Sequence, residues 1–151
     1  MWLMIYFFLV INRQGKTRLS KFYTPVDHQE KFTMIQEVQK SVAVRDTKSQ
    51  SNFLEFQWKS NQIIKLIYKR YAGLNFIIGV DKNANELAAL EMIHFFVETL
   101  DKFFGNVCEL DLIFNFYKVY HVLDEVFLGG ELQEMSKPLI LARLTQLSRL
   151  Q

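Results

Sequence analysis

The chain has 151 residues, of which 50% are apolar and 15% aromatic, and its 18 Lys and Arg nearly balance its 16 Asp and Glu. This length suits one domain with its own hydrophobic core, and the few Pro and Gly leave little room for disorder. A formal charge of +2 is too small to indicate nucleic-acid binding. A lone cysteine, Cys108, excludes an internal disulfide and favours the reducing cytosol.

The first predicted elements are two strands that form a hairpin. Trp2–Ile11 is a run of apolar, strand-favouring residues, too short to cross a bilayer as a helix, which needs about 20 residues. Asn12–Gly15 supplies turn residues, and Lys16–Tyr23 predicts the returning strand with one wet face.

A helix, a polar loop and three more strands are predicted next. Asp27 and Glu30 resemble a capping box, and the helix that they begin has apolar residues every three or four positions. This stripe consists of Phe32, Ile35, Val38 and Val42. After the polar stretch 45–51, the predicted strands are Asn52–Phe56, Ile63–Lys69 and Leu74–Val80.

The second half is predicted to be helical. Asn83 and Glu86 signal a long helix that ends at Gly105, and its apolar residues repeat along one face. They are Leu87, Leu90, Ile93, Val97, Leu100 and Phe104. The further predicted helices are Glu109–Phe116, Val119–Phe127 closed by Gly129 and Gly130, and one that begins at Ser136–Pro138 and runs to Leu147. Strands followed by helices predict one α+β domain of two layers, residues 1–151.

Large apolar side chains are concentrated in Phe103–Lys137. A lone domain of this size would have difficulty burying them all, so we expect a partner chain to cover some of them.

No group of residues indicates a cofactor or a metal site. His28, His94 and His121 lie far apart in sequence, and Cys108 is the only cysteine that could join them as a zinc ligand. Gly15-Lys16-Thr17 lacks the upstream glycine of a phosphate-binding loop, because Val10 stands at that position.

Acidic pairs in apolar surroundings are the remaining candidates for catalysis. Glu109 with Asp111, and Asp124 with Glu125, read more simply as solvated helix faces or ion pairs. A small hydrolase that uses Asp124, Glu125 and His121 stays as an alternative, although the spacing of these residues predicts no mutual geometry.

The first hairpin is basic, since it carries Arg13, Lys16, Arg18 and Lys21. These residues predict either a solvated strand face or a surface for acidic peptide or anionic lipid. A later predicted strand adds positive charge at Lys65, Lys69 and Arg70. We expect this strand to neighbour the hairpin.

Three long blocks resemble the small (sigma) subunits of the clathrin adaptor complexes. MIYFFLVINRQGKTRLSKFY (Met4–Tyr23) resembles the family's opening hairpin, which makes Met1–Leu3 a short extension. IYKRYAGLNFIIGVD (Ile67–Asp81) resembles its KRYAGL-type strand pair, and IHFFVETLDKFFGNVCELDLIFNFYKVY (Ile93–Tyr120) its characteristic helical region. RYAGL, VRDTK and FNFYKVY resemble the sigma subunit of the endocytic, plasma-membrane adaptor more than the trans-Golgi one, which tends towards RYASL and FNFEKAY.

This resemblance implies a longin-like fold: a five-stranded antiparallel sheet flanked by helices, with a helical C-terminal part. It implies a non-enzymatic subunit, without a cofactor, that packs against a large adaptin in a heterotetrameric core. The core would sit peripherally on the cytosolic face of membranes, in clathrin-coated pits at the plasma membrane. The subunit would also bind acidic dileucine signals, [DE]xxxL[LI], in cargo tails. A purely structural longin-type subunit that binds no cargo is the alternative.

Carried over position by position, the resemblance implies a pocket for the leucines and a contact for the acidic residue. The pocket would be lined by Ala72, Leu74, Val97, Val107, Leu110 and Leu112, with Tyr71 and Asn106 at its edge. Arg18 would face the acidic residue of the signal. Without the resemblance, the six apolar residues would be read as ordinary core.

The segment Gln57–Ile67 departs from the family, whose usual strand-turn-strand is shorter at this point. We therefore predict a lengthened hairpin tip that exposes Trp58.

Overall fold

In the computed structural model, which describes residues 4–44, 52–58 and 62–127, five strands form one antiparallel sheet. The strands are β1 (Ile5–Asn12), β2 (Thr17–Phe22), β3 (Phe53–Trp58), β4 (Gln62–Tyr71) and β5 (Leu74–Asp81). Their order across the sheet is β2-β1-β5-β4-β3, so β2 and β3 are its edges. The predicted hairpin and the five-stranded antiparallel sheet are confirmed, with boundaries that differ by a few residues.

Four helices accompany the sheet in the described part of the chain. They are α1 (His28–Ala43), α2 (Glu86–Phe104), α3 (Glu109–Phe114) and α4 (Phe116–Val126). The Asp27 carboxylate accepts from the Glu30 N–H at 2.8 Å, and the Asn85 side chain accepts from the Ala88 N–H, so each long helix begins at a polar cap. The predicted break after Phe116 was wrong, because α3 ends at Phe114 and Asn115 alone separates it from α4.

Helices cover both faces of the sheet, so the domain has three layers instead of the two that the element order predicted. On one face α1 contributes Met34, Val38 and Val42 to a core cluster with the strands. On the other face α2, α3 and α4 pack over a larger cluster that includes Leu74 and Val97. Val97, Val107, Leu110 and Leu112 of the candidate pocket lie in or between these helices.

Two predicted core positions are exposed. Phe32 is 64% exposed because α1 turns Met34, Val38 and Val42, spaced by four, toward the sheet. Leu87 is 65% exposed at the start of α2, where the buried residues begin at Ala89. Both apolar patterns predicted the helix correctly and its buried face only in part.

The predicted exposure of Trp58 was also wrong, since only 3% of this residue is accessible. Alternation along β3 directs Phe56 and Trp58 to the α1 face. There the indole packs edge-on against Tyr6, at a centroid distance of 4.9 Å, and against Phe7, at 5.9 Å. The extra length of this segment therefore extends the β3–β4 pair, which continues to Trp58 and Gln62.

Several predictions lie outside the described residues: the extension Met1–Leu3, the polar loop 45–51, the hairpin tip 59–61, the turn at Gly129 and Gly130, and the last helix to Leu147. Among the described helices, none is both long and apolar enough to cross a membrane.

Candidate peptide-binding site

Four of the predicted pocket residues lie together in the core beneath α2. Leu74, Val97, Val107 and Leu112 are each between 1 and 4% exposed and belong to one cluster. Leu74 comes from the start of β5, Val97 from the buried face of α2, and Leu112 from α3. A leucine side chain would have to displace some of these groups in order to enter.

The other four predicted pocket residues are accessible to solvent, wholly or in part. Ala72 lies in the β4–β5 turn and Asn106 in the α2–α3 loop. Both are exposed, and both have positive φ angles, of 53° and 72° respectively. Leu110 is 59% exposed on α3. Tyr71 is half-buried and packs against the core cluster. Four of the eight predicted pocket residues are thus buried in the core, and the other four, which we call the rim, are exposed or half-buried.

Asp101, a residue that sequence reasoning missed, ties the rim together. One of its carboxylate oxygens accepts from the Tyr71 hydroxyl at 2.5 Å, and the other accepts from the Val107 N–H at 3.0 Å. Its backbone carbonyl accepts from Gly105 and Asn106, which closes α2 in a left-handed cap. The hydrogen bond to this carboxylate is the main reason that the pKa of Tyr71 is raised. No sequence signal separates Asp101 from a solvated helix carboxylate.

Arg18 lies in an ordered polar cluster at the β2 edge. Its Nε donates to Glu109 Oε1 at 2.8 Å, and Asn12 Nδ2 donates to the same oxygen at 2.8 Å. The hydrogen bond from Arg18, followed by that from Asn12, lowers the pKa of Glu109. Asn12 is 5% exposed, and its side-chain oxygen also accepts from the Gln14 and Lys16 N–H groups of the β1–β2 turn. This cluster fixes the orientation of Arg18 beside α3.

The two groups of basic residues are not neighbours along the sheet, contrary to the expectation, because β1 and β5 separate β2 from β4. Lys65 instead pairs with Glu86 on α2 at 2.7 Å, and Lys69 lies 3.2 Å from His94 Nδ1. Only at the end of the sheet do the groups meet, where Arg13 and Arg70 line a common cleft.

A row of exposed apolar side chains extends from the rim onto α3 and α4. Its members beyond Leu110, which we call the aromatic patch, are Ile113, Phe114, Phe116 and Tyr117, with exposures from 36 to 75%. The rings of Phe116 and Tyr117 contact each other in a tilted arrangement, with 4.1 Å between their centroids. The patch falls in the segment whose apolar surplus predicted a partner.

The alternative hydrolase gains no support from the geometry. Of its three residues, Asp124 lies 3.7 Å from Lys21 as a surface ion pair. The described residues contain no group of three or more His, Cys, Asp or Glu that is suited to hold a metal ion.

Comparison with known proteins gives a consistent result. The family model of the clathrin adaptor complex small chain matches residues 4–151. The AP-2 complex subunit sigma of Aspergillus fumigatus is 59% identical over 145 residues, which cover 96% of this chain and 97% of that protein. The AP-1 complex subunit sigma-2 of Dictyostelium discoideum is 51% identical over 141 residues, which cover 93% of this chain and 88% of that protein.

Structural comparison agrees. A chain in a homology model of the full-length AP-3 complex in a stretched open conformation superposes with a TM-score of 0.73 at 37% identity, over 97% of this chain and 95% of that one. The predicted resemblance, including the closer likeness to the AP-2 sigma subunit, is confirmed. The chain belongs to the clathrin adaptor complex small chain family.

Proposed function

We propose that this protein is the small subunit of an AP-2-type endocytic adaptor, and that it binds acidic dileucine signals of membrane cargo at the rim, which includes Ala72, Asn106 and Leu110. The observation that carries the proposal is the position of a fixed arginine beside a group of apolar residues. Arg18 on β2 and Leu74 on β5 are two strands apart, or roughly 10 Å across the sheet. The four residue steps from the acidic residue to the first leucine span at most about 14 Å. One extended signal can therefore reach both.

The two leucines would provide most of the affinity. Burying each contributes roughly 1.5 to 3 kcal/mol, whereas an exposed arginine–carboxylate contact contributes about 0.2 to 1 kcal/mol. After the cost of ordering the peptide, a dissociation constant on the order of micromolar follows. A site of this strength needs simultaneous contacts with lipid or a second signal, so we infer that cargo is held by avidity.

The aromatic patch supports assembly with a large adaptin in a heterotetrameric core. Contiguous exposed aromatic and aliphatic side chains mark protein–protein contacts, and aromatic residues are enriched at the centre of such contacts. The core would place the subunit on the cytosolic face of the plasma membrane, in clathrin-coated pits.

A second candidate function is that of a structural subunit that binds no cargo. It is favoured by the burial of Leu74, Val97, Val107 and Leu112, whose side chains already fill the space that the leucines would need. If the subunit binds cargo, the rim has to open when the peptide binds. The free-energy cost of this opening lowers the apparent affinity for the peptide.

Fluorescence anisotropy separates the two functions. A labelled acidic dileucine peptide is titrated against the chain co-purified with the other adaptor subunits, and a double-alanine peptide serves as the control. Saturable binding that the double-alanine peptide lacks is expected. Absence of binding to the assembled core would favour the structural subunit.

A matched pair of variants tests the location. Leu110→Ser, at the rim, is expected to weaken peptide binding, because it removes apolar contact area. Leu87→Ser alters a leucine of similar exposure, 65% against 59%, at the start of α2 and should leave binding unchanged. Equal affinities of the two variants would contradict the proposed location.

A further inference from the structure

Arg18, the proposed contact for the acidic residue of the signal, already has a carboxylate partner in its own chain. Glu109 at the start of α3 accepts from Arg18 Nε at 2.8 Å, and the two side chains are 36 and 20% exposed. Asn12, which is 5% exposed, donates through Nδ2 to the same Glu109 oxygen at 2.8 Å. The side-chain oxygen of Asn12 is itself fixed by two N–H groups of the β1–β2 turn. The ion pair is therefore built into the fold and is not a chance contact between two freely rotating surface side chains.

Glu109 supplies negative charge at a basic corner of the protein. With Arg13 from the β1–β2 turn, and with Ala72 and Gly73 from the β4–β5 turn, it lines a depression of roughly 490 Å³. It is the one acidic residue among the described residues that line this depression. The hydrogen bond from Arg18 is the main cause of its lowered pKa, so the carboxylate is ionised at neutral pH. A signal that contacts Arg18 therefore meets a negative charge beside the positive one.

The guanidinium of Arg18 can accept a second carboxylate while it keeps Glu109. A guanidinium carries five N–H donors, and Glu109 takes only the one on Nε. Arg18 makes no other hydrogen bond or ion pair with the described residues, so the N–H groups of its two terminal nitrogens are available to a signal. Two carboxylates on different edges of one guanidinium lie about 6 to 7 Å apart, and their repulsion in water lowers the affinity about threefold.

We propose that Glu109 limits the contribution of charge to signal binding: it orients Arg18 through Nε and opposes the negative charge that the terminal nitrogens receive. This inference rests on the proposed function. Glu109 acts through Arg18, so it is a positioning residue that also has an unfavourable electrostatic effect on an acidic signal. The preference for a carboxylate over an uncharged side chain is thereby reduced, and the site selects its signals mainly by their two leucines.

Glu109→Gln separates orientation from charge, because the amide oxygen of glutamine can still accept from Arg18 and Asn12. The assembled adaptor core, with and without this substitution, is titrated with two dileucine peptides that carry Glu or Gln at the acidic position. We expect the Glu peptide to bind about threefold more tightly to the variant core than to the unaltered core at low salt. The Gln peptide should bind both cores equally. The gain should vanish at about 1 M salt, where screening acts over about 3 Å.

Asp124→Asn is the matched control. The Asp124 carboxylate lies 3.7 Å from Lys21, which is another basic residue of β2. This substitution removes a counter-charge from the same strand and leaves the pair of Arg18 and Glu109 intact. The affinity of the Glu peptide for the Asp124→Asn core should therefore equal that for the unaltered core.

Failure of this inference can be distinguished from failure of the proposed function. The role of Glu109 would be overturned if the Glu peptide bound the Glu109→Gln core no more tightly than the unaltered core. An equal gain for the Gln peptide, or the same gain in the Asp124→Asn core, would also overturn it. In each of these cases, binding of the Gln peptide that depends on its leucines preserves the proposed function. A core that binds neither peptide overturns both.

Discussion

The two faces of the sheet are covered in different ways, and the difference separates residues that stabilise the fold from residues that serve function. On the α1 face, one helix seals a core that includes Phe7, Trp58 and Val38. On the opposite face, α2, α3 and α4 bury a larger core but leave the aromatic patch in solvent. The proposed cargo site lies at the margin of that second core. Substitutions on the α1 face should therefore change stability alone, and those on the other face should also change binding.

The largest effect on stability is expected for Trp58→Ala on the α1 face. Removal of a buried indole that contacts Tyr6 and Phe7 should lower the free energy of unfolding by about 3 to 5 kcal/mol. Urea unfolding followed by far-UV circular dichroism measures this change. Phe32→Ala on the same layer removes an aromatic ring that is 64% exposed, and should cost less than about 0.5 kcal/mol. Similar losses for both variants would contradict the burial of Trp58.

The next effect concerns the aromatic patch and appears in assembly. Phe114 and Tyr117 are 75 and 69% exposed, so replacing both with Ser should leave the unfolding free energy nearly unchanged. Truncating a central aromatic residue of an interface costs about 2 kcal/mol or more, so association with the large subunit should weaken by at least about thirtyfold, the effect of one such residue. Co-purification and calorimetric titration measure the loss. Undiminished assembly would show that the patch is covered in some other way.

Periodicity predicted most of the fold but assigned some buried faces wrongly. Apolar alternation and turn residues located all five strands, and the capping residues located α1 and α2. The burial of Trp58 depends on how far β3 runs before it turns, and the prediction ended this strand at Phe56, two residues before its observed end. Phe32 satisfies the helical repeat as well as Met34 does, so only the tertiary contacts decide which of them faces the sheet.

The candidate site rests on family resemblance, and the residue pattern alone would not have proposed it. Leu74, Val97, Val107 and Leu112 have the pattern of ordinary core, and in the structure they are core residues by burial. The role of Asp101 depends on a hydrogen bond to Tyr71, thirty positions away in sequence, which no local pattern encodes. The contact of Arg13 with the β4–β5 turn depends likewise on strand order.

A pair of valines sharpens the comparison between the faces. Val38 on α1 and Val97 on α2 are 0 and 3% exposed, so Val→Ala at either position should cost about 1 to 3 kcal/mol of stability. Only Val97→Ala should also alter the dissociation constant of the dileucine peptide for the assembled core. Equal effects on peptide binding would show that Val97 acts through general stability. Replacement of Val97 by Asp is a harsher test, because it would bury a charge in the core as well as in the proposed site.

The smallest effect is expected at Glu109, whose ion pair with Arg18 holds α3 against β2. Because its pKa is lower in the folded state than in the unfolded chain, the pair stabilises the protein above the ordinary glutamate pKa of about 4.5. This stabilisation is lost as the pH falls through the folded-state pKa. The melting temperature of the unaltered chain should therefore exceed that of Glu109→Gln at pH 7, and the difference should shrink toward pH 3.

On the α1 layer, Glu37 has no ion pair among the described residues, so the melting-temperature difference for Glu37→Gln should stay small at every pH. A melting-temperature difference for Glu109→Gln that did not change with pH would contradict this prediction. The Glu109 side chain would then stabilise the fold through its hydrogen bonds to Asn12 and Arg18, whatever its charge.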